Sequence, residues 1–524
     1  INNLLLQMYG KCDALDMALD LFSRMYQRDL FSWNFIVRAH TRRGRIEDAF
    51  SFFQRMLEEG TIPNKNIFSS MLSSQAGNIT FSDVSRVHVH IASSGCQHDI
   101  FVATSLINTY GKCFHIEEAV EMFIQMPDHD IITWNTIIAA YNEQGLTDKT
   151  LELFDKMLRE AMVPSNVTFV GILDACKDMG KGRHIHVHVL SSEYKEETVV
   201  GTSLMHMYGK YGDLKNVRRI FDNIYDRDKV LWNAVIAAHV QNQESKCALR
   251  LFHMMWQEGI LPDKFTFASI LSACTDESAM QDGKRIHALI SSSSEIHLET
   301  ILENAIVSMY GKCASIVEAH KAFGQISCRD TVSWNAMIGA YARNGDVYNA
   351  SMIYEQMHQE GVISNDITLV SMFEVCANRS HIWQARGQRL HSCFFVTGLA
   401  PDIAVGNALM SMYAKCGRIK EARSVLDNLP KRDESTFINF LSSCTTKDAL
   451  QEGREIHAFV VYMGHETHIP LGTALLTMYG KCGSLNDSWV VFNKMNGRDV
   501  ISWTAMISSC TSNGQAKEAL DLFE

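Results

Sequence analysis

The side chains best equipped for chemistry in this chain are its 14 Cys and 21 His, and their spacing does not serve catalysis or metal binding. No two Cys are separated by two residues, so the Cys-x-x-Cys pairs of a zinc ribbon or knuckle are missing. Instead Cys12, Cys113, Cys313, Cys416 and Cys482 each follow Gly-Lys, Ala-Lys or the like, while Cys176, Cys274, Cys376 and Cys444 recur at one place in a different stretch. Thiols at repeat-equivalent positions read as small buried hydrophobes, which suits a reducing compartment. His88, His186, His287, His391 and His457 recur in the same manner and read as packing residues. His184, His186 and His188 alternate, and alternate residues of a helix point apart, so they do not chelate one ion. His297-Leu298-Glu299 and His358-Gln359-Glu360 match half of a zinc-deaminase signature with no Cys-x-x-Cys after them, and neither a nucleophile elbow nor a phosphate loop occurs. The chain reads as a non-enzyme with no cofactor and no metal.

What does recur is a scaffold. Met-Tyr-Gly-Lys stands at 8–11, 207–210, 309–312 and 478–481, with variants at 109–112 and 412–415, so successive copies are 101, 98, 102, 103 and 66 residues apart. Self-similarity at a fixed period marks stacked units that bury themselves against their neighbours. Each period divides into three helical hairpins, because apolar residues spaced by three and four are broken by turns such as Arg43-Gly44 and Asn344-Gly345. Units bearing Trp-Asn run 35 residues, at 30–64, 131–165, 229–263 and 331–365, with an incomplete copy at 500–524. Units bearing Tyr-Gly-Lys, or Tyr-Ala-Lys in one copy, run 31 residues, at 100–130, 198–228, 300–330, 403–433 and 469–499, with an incomplete copy at 1–29. A His-bearing kind fills 65–99, 166–197, 264–299, 366–402 and 434–468. One Trp-Asn unit is missing after Asp433, which explains the short spacing.

The expected fold is therefore all-α: a right-handed α-solenoid superhelix of stacked helix-turn-helix repeats, continuous over 1–524. A linear array also explains how 524 residues avoid the limit on a single core. Trp33, Trp134, Trp232, Trp334 and Trp503 read as wedges between hairpins, and Met25, Met56, Met126, Met157, Met255, Met357 and Met495 as core filling. No run of 18 apolar residues suggests a membrane span. The chain begins inside a repeat and stops within a helix, so it reads as a fragment whose targeting segment lies elsewhere.

The alternation of 31-, 35- and roughly 35-residue hairpins resembles the PLS class of plant organellar pentatricopeptide-repeat (PPR) proteins. The resemblance is carried by residues 407–417 (Asn-Ala-Leu-Met-Ser-Met-Tyr-Ala-Lys-Cys-Gly) for S units, 332–338 (Val-Ser-Trp-Asn-Ala-Met-Ile) for P units and 452–457 (Glu-Gly-Arg-Glu-Ile-His) for L units. It covers the whole chain. It implies sequence-specific binding of single-stranded RNA, one base per repeat. It further implies location in a chloroplast or mitochondrion, and most directly the recognition part of a C-to-U editing factor. Stabilisation, processing or splicing of RNA by the same groove is the alternative. A protein-binding tetratricopeptide-like array fits less well, since that family keeps a constant 34-residue period. Editing accessory proteins, or a deaminase supplied in cis or in trans, are implied partners, and a membrane is not.

In the family a base is read by the fifth residue of a unit together with its last. The matching pairs are Asn3/Asp29, Asn34/Asn64, Thr104/Asp130, Asn135/Ser165, Thr202/Asp228, Asn233/Asp263, Asn304/Asp330, Asn335/Asn365, Asn407/Asp433 and Thr473/Asp499. By the family's code Asn with Asp resembles a uracil reader, Asn with Asn or Ser a pyrimidine reader leaning to cytosine, and Thr with Asp a guanine reader. The implied register, from the 5′ end, is U, C or U, any, G, C, any, G, U, any, U, C or U, any, U, any, G. The unread places are L units, whose fifth residues are Ser69, Val170, Ala268, Val370 and Ile438. Second-position residues Phe31, Phe101, Ile132, Val199, Val230, Ile301, Val332 and Ile501 match the base-sandwiching place of the family. Lys11, Lys112, Lys210, Lys312, Lys415 and Lys481 match a place near backbone phosphates. These lysines are expected to keep the groove basic although the formal charge is −11, opposite in sign to the usual nucleic-acid footprint. A competing reading makes the Asn of Trp-Asn a helix N-cap.

Overall fold

The computed structural model describes residues 2–12, 14–72, 79–292, 299–377, 387, 402–430, 432–464, 468–495 and 497–523, with the backbone alone at Gly10 and Lys11. Those residues form 31 α-helices and four short 3-10 turns, with no strand among them. The chain divides into two compact units, Ile1–Leu261 and Pro262–Glu524. Within each, helices come in pairs: the first helix of one pair packs on the first helix of the next, and the second helices cover one side of that row. First helices begin at Asn2, Leu30, Lys65, Ile100, Ile131, Asn166, Thr198 and Lys229, and then at Lys264, Thr300, Thr331, Asp366, Ile403, Glu434, Ile469 and Val500. This is an α-solenoid. No helix of the described residues is long and apolar enough to cross a membrane.

From residue 30 on, the turn inside each Trp-Asn or Tyr-Gly-Lys pair holds one residue in the left-handed region, whereas the described turns after Cys176, Cys274 and Cys444 hold none. At Gly345, with φ 71°, its amide donates to the Ala342 carbonyl and the next amide returns to Tyr341, which closes the helix end. Phe114, Gln243 and Ala314 hold the equivalent place at φ 62°, 61° and 58°, where a Cβ is a cost.

The Met, Tyr and Gly of Met-Tyr-Gly-Lys, and the residue after its Lys, act at a junction between pairs. The Met lies against a glycine of the preceding second helix: a Cβ on Gly182, Gly283 or Gly453 would stand 2.6, 2.5 or 2.6 Å from the sulfur of Met207, Met309 or Met478. Residues 84 and 109 invert this arrangement. Val84 takes the glycine's place, Thr109 the methionine's, and both are buried. The Tyr hydroxyl meets the His four residues after that glycine, at 2.8 Å for His88–Tyr110, His186–Tyr208 and His457–Tyr479 and 2.9 Å for His287–Tyr310. Burial holds His88, His186 and His287 below the ordinary imidazole pKa, so these clasps work with neutral rings. His391 lies outside the described residues.

The Gly faces the next pair. A Cβ on Gly111, Gly209 or Gly311 would come within 2.6, 2.9 or 2.4 Å of Cβ of Ala140, Ala238 or Ala340, so only glycine permits this approach of first helices. The slot after Lys donates to a backbone carbonyl of the preceding pair: Cys313 to Cys274, Cys482 to Cys444 and Cys113 to Ile79. Tyr211, which replaces the Cys once, donates its hydroxyl to the Cys176 carbonyl at 3.1 Å. Burial raises the Cys176 thiol to about 11 and the thiols of Cys274, Cys376 and Cys444 to about 12, so they remain protonated packing groups.

Trp33, Trp134, Trp232 and Trp334 are fully buried, each edge-on to a Phe of the preceding helix at 4.6–5.0 Å between ring centroids. Arg28 and Arg329 lie over both rings of their pair and Arg227 over Phe221; they reach on to Glu59, Glu360 and Glu258. Trp503, in the last pair, stays partly exposed. The seven methionines assigned to the core are buried.

Candidate nucleic-acid interface

In the Trp-Asn and Tyr-Gly-Lys units capping belongs to the last residue, not to the Asn of Trp-Asn, whereas Glu197, Glu299 and His468 at the ends of His-bearing units make no side-chain cap. Asp29 accepts from the Ser32 amide at 2.9 Å, Asp130 from Thr133 at 2.8 Å, Asp330 from Ser333 at 2.8 Å and Asp499 from Ser502 at 2.8 Å. Asn64, Ser165, Asp228, Asp263, Asn365 and Asp433 cap in the same way. Asn34, Asn135 and Asn335 lie one turn inside their helices, which begin at Leu30, Ile131 and Thr331. The competing reading therefore assigned the cap to the wrong member of the pair. Asp, Asn and Ser are also the best capping residues, so capping alone accounts for much of the choice at the last position.

The cap keeps a second hydrogen-bonding site, and the fifth residue of the same unit takes it. Asn3 Nδ2 donates to Asp29 Oδ2 at 2.8 Å, Asn135 to Ser165 Oγ at 3.2 Å, Asn304 to Asp330 Oδ1 at 3.2 Å and Asn335 to Asn365 Oδ1 at 3.0 Å. Residues 26 or 30 positions apart thus form one polar rung. Thr104 reaches Asp130 through the Thr133 hydroxyl, with oxygens 3.1 Å and then 2.7 Å apart. Thr202 and Thr473 donate back to the carbonyls of Thr198 and Ile469. Asn34 accepts from Ser70 at 2.8 Å, and the Asn407 carbonyl accepts from Asn439. Asn233 and Asp263 fall in different units of the fold. Most fifth residues are half-buried, but Asn304 is only 7% exposed.

The carboxyls of Asp29, Asp433 and Asp499 are held below the usual range, chiefly by the Ser32 amide, the Thr436 hydroxyl and the Ser502 amide. At Asp330 burial pushes upward, but the Ser333 amide and hydroxyl and the Asn304 amide outweigh it. The rungs that end in Asp29, Asp330, Asp433 and Asp499 therefore carry an ionised acceptor at neutral pH, whereas those that end in Asn64, Ser165 and Asn365 are uncharged.

Beside seven of the ten pairs is an exposed large apolar residue, with Ala404 and Pro470 in that place beside Asn407 and Thr473. Phe31, Phe101, Ile132, Val199, Val230, Ile301, Val332 and Ile501 are 48–67% exposed. Val167, Phe265 and Ile367 hold the same place in His-bearing units and are equally open. The sequence reading passed over them because it looked only at units with a readable pair. The fifth residues of those units, Val170, Ala268, Val370 and Ile438, are half-buried, and the Ser69 hydroxyl meets Ser105 at 3.5 Å.

Lys112, Lys210, Lys415 and Lys481 end their first helices exposed, where they also oppose the negative helix terminus. Eleven residues separate each from a second-position residue, which at 100° per residue returns to nearly the same face about 16 Å along. Lys312 is half-buried, and burial with Arg343 nearby lowers its pKa. The Lys11 side chain lies outside the described residues. At the first Trp-Asn unit Phe31, Asn34, Arg38 and Arg42 line one groove of about 580 Å³. First helices carry 12 Lys or Arg against 6 Asp or Glu, in a chain of formal charge −11. Their capping Asp residues keep the opposite edge of the row acidic. No group of three His, Cys, Asp or Glu that could hold a metal occurs among the described residues.

The PPR repeat family model matches residues 28–76, 129–178, 227–276 and 329–378, and the PPR repeat model matches 3–30, 101–131, 407–433, 473–500 and 501–524. A chloroplastic pentatricopeptide repeat-containing protein of Arabidopsis thaliana is 29% identical over 562 residues, covering 100% of this chain and 62% of that protein. A mitochondrial one from the same plant is 28% identical over 539 residues, covering 94% of this chain and 52% of its own length. The chain thus spans about three fifths of the length of the first relatives it matches. Among solved structures, the pentatricopeptide repeat protein PPR10 from maize superposes with a TM-score of 0.61 at 18% identity, covering 100% of this chain and 82% of that one. The same protein in complex with an 18-nt psaJ RNA element superposes with a TM-score of 0.50 at 17% identity, over 99% of this chain and 78% of that one. With repeat matches over more than half of its residues, the chain belongs to the pentatricopeptide-repeat family.

Proposed function

We propose that this chain binds single-stranded RNA by sequence, one base per unit, and is the target-recognition part of a PLS-class C-to-U editing factor in a chloroplast or mitochondrion. The observation that carries the reading is the rung: a fifth residue hydrogen-bonded to the last residue of its own unit, flanked by an exposed apolar side chain. A base lying between successive second-position side chains meets one such pair edge-on. Small amides, hydroxyls and carboxylates then discriminate by donor and acceptor pattern. The solved maize relative bound to an RNA element and the chloroplastic and mitochondrial names of the relatives support this assignment. A deaminase or accessory proteins would act on the positioned strand, in cis or in trans.

The test is a change of letter. Thr202→Asn converts a Thr/Asp pair into Asn/Asp without touching the Asp228 cap. The preference at the seventh nucleotide of the register is expected to move from guanine toward uracil by roughly tenfold, the scale of one base contact. Competition binding with RNAs differing only there reads the change, and unaltered selectivity would reject the pairing.

A further inference from the structure

The third residue of the following unit stands next to the rung, and its hydroxyl reaches the base-facing Asn in some units and only the capping residue in others. Where the rung ends in Ser165 or Asn365, the buried hydroxyl of Thr168 or Thr368 stands 2.6 Å from Oδ1 of Asn135 or Asn335, nearer than the 3.0 Å to Ser165 Oγ or the 2.9 Å to Asn365 Oδ1, and its hydrogen goes to the nearer oxygen. Asn34, whose rung ends in Asn64, receives the equivalent bond from Ser70 at 2.8 Å. Where the rung ends in Asp, the third-position hydroxyl turns to that residue: Ser333 donates to Asp330 Oδ1 at 2.9 Å, Thr436 to Asp433 Oδ1 at 2.6 Å and Ser32 to the Asp29 carbonyl at 2.8 Å. In those three units Oδ1 of Asn304, Asn407 and Asn3 is buried without a partner. A hydroxyl has one hydrogen, and a charged carboxylate outcompetes an amide oxygen for it.

We propose that the third-position hydroxyls of Thr168 and Thr368 are specificity-positioning groups that latch the preceding Asn amide with its oxygen inward. The proposal rests on the RNA-reading function above. A latched amide already gives one N–H to Ser165 or Asn365 and has only the other N–H to offer a base. That suits cytosine, whose N3 accepts, and opposes uracil, whose N3–H donates. An unlatched amide carries an orphaned oxygen, which is costly until it finds a donor. Rotating that oxygen toward the N3–H of uracil satisfies it and gives up the Nδ2 bond to Asp29 or Asp330, whose carboxylate keeps its cap and its place in water. The last residue thus selects the base indirectly, by taking or leaving the hydroxyl's hydrogen.

The test uses the chain with RNAs that differ only at the eleventh nucleotide, opposite Asn335. Thr368→Val keeps shape and removes the hydroxyl, and the cytosine-to-uracil affinity ratio there is expected to fall about fivefold, one net hydrogen bond. Thr436→Val loses the same capping-box contact after an Asn/Asp rung and leaves the uracil preference at the thirteenth nucleotide unchanged. Thr368→Ser restores the ratio. Should Thr368→Val fail to fold, Thr168→Val read at the fifth nucleotide carries the same expectation. An unchanged ratio, or an equal shift from Thr436→Val, overturns the latch alone. A wild-type chain with no pyrimidine preference at these nucleotides overturns the pairing scheme and the latch with it.

Discussion

Gly283→Val is expected to destabilise the fold by about 2–3 kcal/mol, and adding Met309→Thr to recover most of that loss. Two effects oppose each other. Val in place of helical Gly gains roughly 0.5 kcal/mol of backbone propensity. Against this, a Cβ at 283 would stand 2.5 Å from the Met309 sulfur and 3.1 Å from its methyl carbon. The methionine is buried, so its end cannot swing into water without leaving a void. Overpacking wins. The remedy is written in the chain itself, since Val84 and Thr109 occupy the same two places with their sizes exchanged. Urea unfolding of the two single variants and the double variant measures the coupling. A double variant no more stable than Gly283→Val would mean that the inverted junction is unrelated to packing.

Phe31→Ala is expected to weaken RNA binding by about 1–3 kcal/mol, roughly fivefold to 150-fold, with little effect on stability. The ring is 48% exposed and shares its groove with Asn34, Arg38 and Arg42, so its surface is open to a base rather than to the core. Trp33, two residues on, is fully buried against Phe22 and belongs to the junction. Titration with the register RNA at fixed salt, beside a thermal unfolding curve, separates the two quantities. Equal affinity of variant and wild type would remove base sandwiching from the account.

The repeat and its helical hairpins were legible because three- and four-residue apolar spacing is local. The physical sense of Met-Tyr-Gly-Lys was not. Gly311 is required by Ala340 and Met309 by Gly283, partners 26 to 29 residues away in units of unequal length, and no local pattern reveals who touches whom. Tyr211 looked like a lapse in the Cys series, yet it reaches the same kind of carbonyl by a longer arm. At the rung, the pairing of fifth and last residues came from resemblance, and capping was expected at the wrong member because both residues stand near a helix start. The hydroxyls of Thr168 and Thr368 carried no signal at all. A Thr at the third helical position is ordinary, and only geometry shows its hydrogen going to Asn135 or Asn335.

Equilibrium binding of a 15-nucleotide RNA carrying the register, compared at one salt concentration with the reversed sequence and with its duplex, tests the central claim. The register RNA is expected to bind about a hundredfold more tightly than either, since several rungs each discriminate by roughly 1–3 kcal/mol. Equal affinity for the forward and reversed strands would contradict the account, because the rungs would then be caps and nothing more.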